Sequence, residues 1–74
     1  METVKQEITG YRQLTDADVN MMNDIKAAGV IVGELVAALR RYEYLDQRWI
    51  SIGATDLQTG FMALVRAVAK PTTF

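Results

Sequence analysis

The sequence predicts an all-α fold: an antiparallel helical hairpin with a short N-terminal helical arm, assembled into a homo-oligomer. Three observations predict it. Apolar residues recur at alternating spacings of 4 and 3 over two stretches, Asp16 to about Arg41 and Asp46 to Pro71, and each stretch has its own start signal. The link between them, about Glu43 to Leu45, is short, and short links join antiparallel neighbours. Half of the 74 residues are hydrophobic, more than the single seam of a two-helix unit can hide.

The chain reads as one domain, 1–74, with an arm over 1–14, helix 1 and its link over 15–44, and helix 2 over 46–71. In the arm, Val4, Ile8 and Tyr11 share one helical face, Gly10 interrupts it, and Tyr11 ends the arm beside Arg12. Helix 1 opens on Thr15 as N-cap with Asp18 three residues later, a capping box in which Asp replaces Glu or Gln. Leu14 and Val19 occupy the staple positions, and Asp16 and Asp18 suit the positive end of the helix dipole. The seam then runs Met21, Ile25, Ala28, Val32, Leu35, Leu39 and Tyr42, and Arg40 and Arg41 fall in the last turn. At 1.5 Å per residue this helix is roughly 40 Å long.

Helix 2 opens on Asp46 as cap, with Leu45 and Ile50 as staple. Its seam is Ile50, Ala54, Leu57, Phe61, Leu64 and Val68; Lys70 closes the last turn and Pro71 stops it. Val19, Met22, Val30, Ile31, Val36, Trp49, Ile52, Met62 and Val65 lie off both seams. They build second apolar faces, and two helices alone enclose no core, so the expectation is self-association.

Composition narrows the function. There is no cysteine and no histidine, which removes disulfides and Cys/His metal sites as sources of stability. A net charge of −1 is unlike the basic footprint of a protein that binds long nucleic acid. No apolar run reaches the roughly 18 residues of a membrane span, and the first ten residues lack the apolar centre of a signal peptide, so the expectation is a cytoplasmic protein with no membrane partner. Neither a nucleophile elbow nor a phosphate-binding P-loop is present, and Asp24, Glu34 and Asp56 are scattered acids on a solvated face. The chain reads as non-catalytic and without a cofactor.

Four features stand out against that background. Gly29, Gly33, Gly53 and Gly60 lie inside predicted helices, where each costs about 1 kcal/mol relative to alanine. Close packing of helices offsets such a cost, and so does the approach of a ligand or of another subunit's backbone. Lys26 shares a face with Met22, Gly29, Val30 and Gly33, and either snorkels to solvent or stands at the mouth of a glycine-floored pocket for phosphate. Arg66 lies among Met62, Ala63, Ala67 and Lys70, and either pairs with a carboxylate or offers its planar fork to phosphate oxygens. Tyr11 either packs on the hairpin or stacks on a nucleobase. Arg48 and Trp49 are sequence neighbours and are expected to point to different faces, with Trp49 in an interface.

Three blocks carry a resemblance over Tyr11 to Pro71: YRQLTDADVNMMNDIKAAG, the GELVAAL run from Gly33 to Leu39, and DQRWISIGATDLQTGFMALVRAVAKP. In these the chain resembles the small helical-hairpin family of phage immune-evasion proteins, the cyclic-nucleotide sponges that oppose CBASS and Thoeris defence. The resemblance implies a homohexamer of interlocking hairpins that sequesters cyclic di- or trinucleotides without cleaving them. It implies that Tyr11 stacks on the bases and Lys26 contacts phosphate. It also implies a second, trinucleotide site at a threefold junction, where Arg66 binds phosphate and a threonine two positions after the lysine assists; here that position is Ala28. The anti-Thoeris branch implies cyclic ADP-ribose isomers as an alternative ligand. Gly29, in a pocket wall, would let the ligand approach the helix backbone. The remaining alternative is a small oligomerisation module whose partner is a protein.

Overall fold

A computed structural model describes residues 13–72, and these form two α-helices and no strand: α1, Asp16–Arg40, and α2, Gln47–Ala69. The expected arm, including Tyr11, lies outside the described residues except for its last two positions, which are not helical.

Both helix starts form as their sequences dictate. Thr15 is in extended conformation; its side chain accepts a hydrogen bond from the Asp18 backbone N–H at 3.1 Å, and Asp18 Oδ2 accepts from the Thr15 N–H at 3.0 Å. The box thus satisfies two backbone donors reciprocally. The Asp18 carboxylate is one of only two buried residues described, and this backbone bond accounts for part of its satisfaction. At α2 the Asp46 carboxylate accepts from the Trp49 N–H at 3.2 Å.

α1 tightens as it ends. The Arg41 N–H donates to the Ala38 carbonyl, Tyr42 to Leu39, and Leu45 to Tyr42, each at 3.0–3.2 Å. These three-residue bonds turn the chain within the expected link, and the Gln47 side chain ties it to α2 by donating to the Tyr42 carbonyl at 2.9 Å. The Tyr42 and Tyr44 rings meet edge to face, 6.0 Å apart, on the outside of this turn.

α2 ends at Ala69, two residues before the expected bound at Pro71. Lys70 does not close the helix. It is the C-cap, in left-handed conformation with φ 47°, and its N–H donates to the Arg66 carbonyl at 2.8 Å. The cause is Pro71, which disfavours helical backbone in the residue before it.

The seams differ from the periodicity in a systematic way. Ile25, Val32 and Leu39 are half-buried as expected, but their companions are Met22, Gly29 and Val36, whereas Met21, Ala28, Leu35 and Tyr42 are exposed. On α2, Ile50, Ala54, Phe61 and Val68 are half-buried with Val65, while Leu57 and Leu64 are more exposed, Leu57 in the open gap between the helices. Each helix carries two overlapping stripes of the same spacing, and the turn geometry selects which one faces inward.

The interior this creates is thin. Among the described residues no side chain is fully buried, and Val30, Ile31 and Met62 are each more than 60% exposed. The close-packing reading of the glycines fails within one hairpin: a Cβ built on Gly29, Gly33, Gly53 or Gly60 would meet nothing within 4 Å. Arg48 and Trp49 also depart from expectation. They do not point apart; the Arg48 guanidinium lies 5.7 Å from the Trp49 ring centre, because a flexible side chain at a helix start can fold back onto its neighbour.

Candidate functional site

A concavity runs between the helices, a groove of about 340 Å³. Its α1 wall is Gly29, Val32, Gly33, Val36, Ala37 and Arg40, and its α2 wall is Ala54, Leu57, Gln58 and Phe61. The two glycines open it: side chains there would narrow the α1 wall, and nothing in the hairpin fills the space they leave. The groove is apolar along its length and polar at the end nearer the turn, where Arg40 Nη1 donates to Ser51 Oγ at 3.1 Å. It lies at the small end of the roughly 300–1,000 Å³ range of ligand pockets.

Gly29 is therefore the one expected site residue that lines this groove. Lys26, one turn before it on α1, is exposed and does not line it. Arg66 is exposed on α2, outside the groove lining, and its backbone carbonyl holds the Lys70 cap. Counting equally away from the Arg40–Ser51 contact along two antiparallel helices puts Lys26 level with Val65, next to Arg66. The two cations thus stand at one level of the hairpin, beyond the end of the groove that lies away from the turn. Tyr11 is outside the described residues, so its relation to Lys26 is not drawn by the fold. Ala28 is exposed on α1 two positions after Lys26, and it presents a methyl group with no hydrogen-bonding capacity.

Arg40 is the residue that sequence reasoning missed. Periodicity placed it in the last turn as a dipole partner, whereas the fold turns it across to α2. The shortness of the link was the available signal, because it sets which residues of the two helices come level.

The described residues contain no group of three or more acidic, histidine or cysteine side chains able to hold a metal, and no helix long and apolar enough to cross a membrane. What the surface offers is exposed cations, glycine-opened walls and unpartnered apolar area. That inventory suits recognition of an anionic ligand.

Comparison with known proteins assigns the family. The family model described as the Acb2/Tad1 hairpin domain matches residues 5–69, a span that includes both helices, both N-caps, Lys26, Gly29 and Arg66. Anti-CBASS protein 2 of Pseudomonas phage JBD67 is 33% identical over 105 aligned positions, gaps included, which covers 96% of this chain and 97% of that protein. A two-helix hairpin with these boundaries, matched over nearly its whole length, leaves one assignment: the chain belongs to the Acb2/Tad1 hairpin-domain family.

Proposed function

We propose that this protein assembles from several copies and sequesters cyclic oligonucleotide second messengers without cleaving them, so that CBASS-like defence signalling in the host cytoplasm is starved of its activator. The observation that carries this reading is the near full-length similarity to an anti-CBASS protein. The geometry supports it in two ways, and the symmetry of the ligand is consistent with it. Lys26 is exposed on α1 one turn before Gly29, outside the groove that Gly29 lines. The exposed apolar surface calls for further copies. A cyclic dinucleotide has two phosphates and two bases in near-twofold arrangement, so a twofold interface would present one Lys26 and one Tyr11 to each half.

In this reading Tyr11 stacks on a base, Lys26 binds phosphate and Gly29 lets the ligand lie close to the helix. Arg66 serves a separate trinucleotide site, weakened by the lack of a hydroxyl at Ala28. No step of the function breaks or makes a covalent bond. Long nucleic acid and membranes are not partners.

The test is calorimetry of the purified protein with cyclic di-, cyclic tri- and ADP-ribose-derived nucleotides, followed by recovery of the ligand after heat denaturation. One intact cyclic dinucleotide per two copies is the expected result. Linearised product would replace sequestration with catalysis. Binding of cyclic ADP-ribose isomers alone would move the protein to anti-Thoeris activity. No binding in the whole panel would favour a protein partner for the exposed apolar faces.

A further inference from the structure

One polar side chain interrupts the apolar stretch of the interhelical groove. Apart from Arg40, held by Ser51 at the turn end, Gln58 carries the only polar side chain of the lining. Its carboxamide makes no hydrogen bond to a described residue. Counting equally away from the Arg40–Ser51 contact puts Gln58 level with Gly33, and Phe61 beside the level of Gly29. A Cβ at either glycine would meet nothing within 4 Å, so the α1 backbone lies open opposite a carboxamide and a half-buried phenyl ring.

The open wall leads to a cation. Lys26, Gly29 and Gly33 follow one another at spacings of 3 and 4, so they share one side of α1. Two turns, about 10 Å, separate Lys26 from the level of Gln58, and a flexible lysine side chain covers part of that distance. Among the described residues no carboxylate pairs with Lys26. This order of groups suits one kind of occupant. A flat ring fits between the glycine-opened wall and Phe61, its polar edge meets the carboxamide, and an attached anion reaches Lys26. That is a nucleotide, base inward and phosphate outward. A purely apolar occupant would strip water from the Gln58 carboxamide and return no hydrogen bond.

We propose that the groove is a nucleobase pocket and that Gln58 is its specificity-determining residue, favouring adenine. The inference rests on the reading that the protein sequesters cyclic oligonucleotides, and it names what selects among them. A carboxamide presents an acceptor and a donor side by side. Adenine matches that pair on either side of its amino group, through N6 with N7 or N6 with N1. Guanine presents two acceptors, O6 and N7, on its outer edge, and matches a carboxamide only through its Watson–Crick side.

The experiment is calorimetric titration of the full-length protein with cyclic di-AMP and cyclic di-GMP, for wild type, Gln58→Leu and Gln58→Arg, with helix content checked by circular dichroism. Wild type should bind the adenine ligand about fivefold or more tighter, the lower bound of what one bidentate base contact discriminates. Gln58→Leu removes donor and acceptor at similar size, so the two affinities should converge. Gln58→Arg offers donors alone and should invert the preference, and the ratio of affinities cancels the general attraction of the added charge. If Gln58→Leu loses its helices, the Gln58→Arg ratio decides. A wild-type ratio near one or in favour of guanine, or a ratio that the folded variants leave unmoved, overturns the role of Gln58 while sequestration stands. No binding of either ligand by wild type removes the reading on which the inference rests, and the inference with it.

Discussion

Lys26 and Ala28 are two residues apart on α1, and they separate the two ligand classes proposed for this protein. A charge-assisted hydrogen bond contributes about 1.5–3 kcal/mol. Lys26→Ala should therefore weaken cyclic-dinucleotide binding by roughly ten- to a hundredfold in calorimetry, with the assembly mass unchanged. Ala28→Thr supplies the missing hydroxyl, and one added hydrogen bond of about 1 kcal/mol should strengthen cyclic-trinucleotide binding about fivefold. Unchanged trinucleotide affinity in Ala28→Thr would detach that position from the second site. Gly33 offers a third test at this scale. Its added Cβ meets nothing in the hairpin, and alanine is the better helix former by about 1 kcal/mol. If only the hairpin mattered, Gly33→Ala would raise the melting temperature. A lowered melting temperature, or a loss of ligand affinity at raised stability, identifies which visitor occupies the groove.

The helices are held at their ends more than along their lengths. Thr15 and Asp18 satisfy each other's backbone donors, and Thr15→Ala should cost about 1 kcal/mol in a denaturant titration. The C-terminus of α2 shows the opposite case. Lys70 holds φ 47°, a conformation that costs a residue with a Cβ about 1 kcal/mol and a glycine almost nothing. Lys70→Gly should therefore stabilise the protein by that order in the same titration, and a destabilised variant would show that the lysine side chain has a role the cap geometry does not supply. The contrast reflects what local sequence encodes. Thr15, Asp18 and Asp46 act on backbone a turn away, so their roles are legible as spacing. The left-handed turn at Lys70 comes from Pro71 acting backwards on its neighbour, and the apolar periodicity runs on past it.

At the scale of the molecule, the proposed self-association makes stability depend on the assembly. Among the described residues many large apolar side chains remain exposed, so association would add burial to offset the entropy of ordering the chain. The melting temperature is expected to rise with protein concentration, as it does when folding and association are coupled. Calorimetric scans at widely spaced concentrations check this, and a melting temperature independent of concentration would mean that the single hairpin is stable alone.

The amino-acid sequence by itself determined two helices, their caps, the short turn and the excess of apolar surface, because each follows from interactions within a few residues or from composition. It also marked Lys26, Arg66 and the four glycines as residues out of place in ordinary helices. Only the tertiary structure decided which stripe faces which. Met21, Ala28 and Leu35 form as regular a series with Ile25, Val32 and Leu39 as Met22, Gly29 and Val36 do, and periodicity has no means of choosing between two stripes of equal spacing. The return of the chain through the Tyr42–Leu45 turn sets that choice: it brings Arg40 onto Ser51, leaves Gly53 and Gly60 with no hairpin atom near their missing Cβ, and leaves Leu64 exposed.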